Sequence, residues 1–145
     1  MQERRSIALL TMAAYVLALG SVFTTRVVKA FTLAEVLAVA TFVCGLAVFV
    51  IYRRERSARP LAWPHRLVVV GSVIGLAGLA LKVVFSLLGI GAGEHDMANH
   101  ATAAGNPLLV HIHHLFFNLG FLFLLVSAII LVGARVRGGH RHVAT

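Results

Sequence analysis

Hydrophobic positions along this chain do not alternate with polar ones. They come in four long blocks, at about residues 7–25, 31–52, 67–90 and 108–132, separated by short polar segments. Crossing a hydrocarbon core takes roughly 20 helical residues, with a range of about 17 to 25, and each block reaches that length. Lipid offers the backbone no hydrogen-bond partner, so runs of this kind are satisfied as helices. The pattern predicts an all-α, polytopic integral membrane protein: one domain, 1–145, with four transmembrane helices. The first block follows Arg4 and Arg5 as a signal peptide would. However, it leads to Arg26 and Lys29 with no small-x-small cleavage site, so it reads as a retained helix.

Composition sharpens this picture. Of 145 residues, 59% are hydrophobic and 12% charged, about half the roughly one quarter charged that is usual in a soluble domain. The net charge of +8 would suggest nucleic acid as a partner for a soluble protein. Here the bases flank the apolar blocks, as membrane topology requires, so the implied partners are the lipid bilayer and other membrane subunits or a second copy, and no nucleic acid. Ten arginines fall on one side: Arg4 and Arg5, five between 53 and 66, and Arg135, Arg137 and Arg141. Arg26 and Lys29 fall on the other. The positive-inside rule then places both termini and the basic loop 53–66 in the cytoplasm, in a multi-pass protein of the cytoplasmic (inner) membrane. Loop 91–107 faces outward. Trp63 and Pro64 read as an interfacial anchor and a helix start. Cys44 is the single cysteine, which excludes an internal disulfide or a Cys-based metal motif.

The third block carries the most readable small-residue pattern. Gly71, Gly75, Gly78, Lys82, Ser86 and Gly89 are spaced by 4, 3, 4, 4 and 3 residues and fall on one helical face. Small residues let membrane helices approach closely, so this face is expected to be the packed one. Lys82 shares it, roughly 12 Å below the outward end at about 1.5 Å per residue. A lysine at such depth costs about 2.5–3.5 kcal/mol on insertion scales and needs a polar partner or cavity. Glu35 of the second block and Asn118 of the fourth lie at compatible depths. Thr11 and Ser127, by contrast, read as hydroxyls bonded back to their own helices.

The remaining chemistry is concentrated in residues 93–114, GEHDMANHATAAGNPLLVHIHH, which hold five of the eight histidines. If 111–118 is helical, His111, His114 and Asn118 share a face and His113 points about 200° from His111. If it is extended, His111 and His113 pair instead. Further ligands would come from His95, His100, Asp96, Glu94 and Met97. Imidazoles suit zinc or copper, and a thioether favours copper(I). Haem or a chlorophyll-type pigment is the other histidine-held class, although haem needs axial ligands from opposite sides and the first two blocks contain no histidine. No nucleophile–base pair, phosphate loop or Cys motif points to a reaction. Function is therefore expected to be that of a small subunit of a larger membrane assembly, in electron transfer or metal handling. The alternatives are an oligomeric transporter or channel using Lys82 and Glu35, and an outward-facing metal-dependent enzyme or sensor.

Overall fold

The computed structural model describes residues 2–54, 60–88 and 107–141, with side chains throughout except 2, 3, 31, 107–111, 113 and 136–141. The described residues are helical almost throughout. Helix α1 (Gln2–Phe23) runs into a π-helical turn (Thr24–Val28). Then follow α2 (Phe31–Arg54), α3 (Trp63–Leu87) and α4 (Pro107–Arg141). Four helices are long and apolar enough to cross a membrane, over Arg4–Val28, Thr32–Arg54, Trp63–Leu87 and His114–Arg135. Their large apolar side chains face outward as well as inward: Leu19 is 71% exposed, Ile129 61% and Leu87 82%. Helices apolar on every side are compatible with a lipid surround, because water would penalise the outer face.

The helices run up, down, up and down. α1 packs on α2, α2 on α3 and α3 on α4, while α1 touches α3 and α4 sparsely. One end of the bundle carries the α1–α2 connection and is called the hairpin end here. The other, the basic end, carries Arg53, Arg54 and Arg66. α3 starts at Trp63, four residues before the apolar block itself, because Pro64 sits in the first turn, where a missing N–H costs nothing. α4 starts at Pro107, so the segment HIHH is helical, and it runs to Arg141, well beyond residue 132.

Buried Ala14, Ala38, Phe42, Val68 and Leu124 form the core. Gly71, Gly75 and Gly78 are buried in α3, so that part of the glycine face is packed. Its partners are specific. A Cβ on Gly71 would lie 2.7 Å from the Gly120 carbonyl oxygen, and one on Gly120 would lie 2.8 Å from that of Gly71. α3 and α4 therefore cross backbone to backbone. A Cβ on Gly75 would run into the ring of Phe42 from α2. Ser86 does not share this packing: it lies next to the last residue of α3 and is exposed. Gly89 lies outside the described residues.

At the basic end, hydrogen bonds tie α1 to the other hairpin. Thr11 Oγ1 lies 2.9 Å from His65 Nδ1. Ser127 Oγ donates to the Pro64 carbonyl at 2.6 Å, and its single proton is thereby used. The Tyr15 hydroxyl, 2.6 Å away, must therefore be the donor to Ser127. Thr11 and Ser127 thus bond between helices and not back to their own turns. The bonds of Thr11 and Tyr15 join α1 to helices with which it shares little other contact.

Candidate functional site

Near the hairpin end the bundle is not filled. A cavity of about 290 Å³ lies between the end of α1, the start of α2, the end of α3 and the start of α4. α1 and the π turn contribute Ser21, Val22, Thr25 and Arg26; α2 contributes Ala34 and Glu35. α3 supplies Leu79 and Lys82, and α4 supplies His114, Phe117, Asn118 and Phe121.

Each position has a local cause. Ser21 Oγ donates to the Ala34 carbonyl at 2.8 Å, which pins the entry of α2 against α1 and presents Glu35 one residue later. Thr24 and Thr25 donate to the carbonyls of Gly20 and Ser21, at 2.7 and 2.9 Å, within their own turns. The backbone there is unusual. After the π turn, Lys29 takes φ 56° and ψ 26°, and the N–H groups of Lys29 and Ala30 both reach back to the Thr24 carbonyl. A non-glycine residue in the left-handed region is uncommon and is held by its surroundings.

The Lys82 ammonium pairs with Glu35 Oε1 across α2 and α3. The pair is not sealed in the core, since its side chains are 37% and 50% exposed. Beneath it lies an aromatic floor. Phe42 meets Phe117 edge-on at 5.3 Å between centroids and Phe121 at the same distance, with Phe117 and Phe121 5.7 Å apart. Below the phenylalanines the close Gly71–Gly120 crossing leaves no room for side chains.

Of the residues singled out by sequence, Glu35, Lys82, Asn118 and His114 come together around this cavity. His111 and His113 are in the same helix, and their side chains lie outside the described set, as do His95, Asp96, Met97, His100 and Glu94 altogether. Among the described residues, no group of three or more His, Cys, Asp and Glu side chains is placed to hold a metal ion. Sequence reasoning missed Ser21, Thr25, Arg26, Phe117 and Phe121. The two phenylalanines carried a signal, because 114, 117, 118 and 121 recur at helical spacing. Arg26 carried none beyond its side of the membrane, since nothing in TTRVV announces a π turn.

Comparison with protein-family models, with curated proteins and with solved structures finds no match.

Proposed function

We propose that this chain is a multi-pass protein of the cytoplasmic membrane, with both termini in the cytoplasm, that receives a small polar solute in the Lys82–Glu35 cavity as the binding step of transport. The observation that carries this reading is a part-exposed ion pair facing about 290 Å³ of unfilled space. A pair serving helix register alone would be closed over by packing, because an open, hydrated one contributes little to stability. Ionisable groups at membrane depth are retained mainly where a pathway or ligand needs them. Catalysis is the weaker reading. The Ser21 and Thr25 hydroxyls spend their protons on backbone carbonyls, so neither is poised as a nucleophile. In this reading the basic end faces the cytoplasm, and the bonds of Thr11 and Ser127 across the helices there favour entry of cargo from the outside.

The test is water access. In a Cys44→Ala background, Asn118→Cys should react with a charged, membrane-impermeant thiol reagent applied outside intact cells, as fast as a control at exposed Lys29. If Asn118→Cys stays unreactive from both sides while the control reacts, the cavity is no solute site.

A second reading, a subunit of a larger assembly, is favoured by α4. Within its most apolar stretch only 17% of residues are buried, against 28–33% for the other three helices. Crosslinking from Leu125 or Ile129, both exposed on that helix, to a different polypeptide would support it.

A further inference from the structure

We infer that the cavity takes a small organic carboxylate, an anion with one carboxylate head and a compact apolar body. This rests on the cavity being a solute site and adds the chemical class of the solute. Charge is the first argument. Lys82 and Glu35 cancel each other. Arg26, projecting from the π turn into the same cavity, forms no ion pair with any described residue. The described lining is therefore left with one uncompensated positive charge.

Hydrogen-bonding capacity points the same way. The Arg26 guanidinium presents a rigid fork of N–H donors, the Asn118 amide has no described partner, and the Lys82 ammonium keeps N–H groups beyond its bond to Glu35. Against these stand the second Glu35 oxygen, the Asn118 carbonyl, one nitrogen of the His114 ring and two weakly accepting hydroxyls. Donors dominate, and they alone carry unbalanced charge. A guanidinium fork matches a carboxylate bidentately, which an ammonium cannot do.

The apolar part of the wall is Val22, Ala34, Leu79, Phe117 and Phe121. These surfaces would gain nothing from an inorganic anion, whereas an apolar body would cover them. At about 290 Å³ the space is at the small end for ligand pockets, which suits one ring or a short chain. The backbone adds independent support. The π turn that contains Arg26 and the left-handed Lys29 that follows it are sparsely populated conformations, and π turns recur at functional sites.

A carboxylate with an apolar body could arrive as a water-borne acid or as a fatty acid from the bilayer. Both would be measured on the full chain in lipid nanodiscs, as saturable binding of tritiated benzoate and tritiated octanoate. The expected result is near one site per chain, displaced by unlabelled acid and not by benzamide. Arg26→Gln should weaken binding at least tenfold, and Arg26→Lys, which keeps the charge but loses the fork, should weaken it less. Preference for benzoate identifies the aqueous source and preference for octanoate the bilayer; either upholds the class. Equal displacement by benzamide or inorganic phosphate would overturn it. So would the absence of saturable binding of both acids where Asn118→Cys reacts normally. Failure of that reaction would instead remove the solute site itself.

Discussion

Gly120→Ala is the sharpest test of the packing that frames the cavity. One methyl group is added at a position where the new Cβ would lie 2.8 Å from the Gly71 carbonyl oxygen and 3.1 Å from the Gly75 nitrogen and Cα. All three neighbours are backbone atoms in another helix, so no side chain can rotate away. Relief requires α3 and α4 to separate by a few tenths of an ångström along the crossing, and a gap of 0.5–1 Å forfeits about a quarter to a half of each dispersion contact. Overpacking of this kind costs about 1–3 kcal/mol. Replacing a helical glycine by alanine returns roughly 0.5–1 kcal/mol. The net expectation is a loss of about 1 kcal/mol, roughly 5-fold in the folded-to-unfolded ratio, within bounds of about 0 and 2.5 kcal/mol. Gly133→Ala is the control: nothing lies within 4 Å of its Cβ, so only the helix term acts and the variant should gain about 0.5–1 kcal/mol. Unfolding would be driven by a rising fraction of sodium dodecyl sulfate in mild-detergent micelles. It would be followed through the reaction rate of half-buried Cys44, the single cysteine. A Gly120→Ala protein unfolding at the same or a higher fraction than Gly133→Ala would refute the backbone-to-backbone crossing. Gly71→Ala should add little once Gly120→Ala is present, because one separation accommodates both methyls.

Ser72 Oγ is buried without a described hydrogen-bond partner, so Ser72→Ala should stabilise the protein by about 1 kcal/mol, read in the same titration. At the basic end, Tyr15→Phe removes one donor and should cost about 0.5–1.5 kcal/mol, whereas Ser127→Ala strands the Tyr15 hydroxyl and should cost about 1–3 kcal/mol. Equal losses would mean that Ser127 does not join the two bonds. Because the Lys82–Glu35 pair is part-exposed, Lys82→Met alone should change the stability of the fold by no more than about 1 kcal/mol. Lys82→Met with Glu35→Met should likewise fold but should lose carboxylate binding, and binding that survived would show that the pair takes no part in the solute site.

Some of this could be read without coordinates. Four helices long and apolar enough to span a membrane follow from block length, because a hydrocarbon core sets length and leaves the backbone no alternative. Depth arithmetic brings Glu35, Lys82 and Asn118 to one level for the same reason. Periodicity along α3 marks Gly71, Gly75 and Gly78 as small residues on one face, which they occupy buried. What periodicity does not contain is the neighbour. That Gly71 meets Gly120, that Gly75 seats the Phe42 ring, and that Thr11 reaches His65 some 54 positions away depend on which helix lies beside which. Helices apolar on every side leave that choice undetermined. Ser86 shows the limit from the other direction: its spacing matches the glycines, but it sits at the end of α3 and stays exposed. The π turn that brings Arg26 into the cavity is likewise a tertiary decision. A wider turn and a left-handed lysine are unfavourable locally, and the connection from α1 into α2, with Ser21 bonded to Ala34, holds them in place.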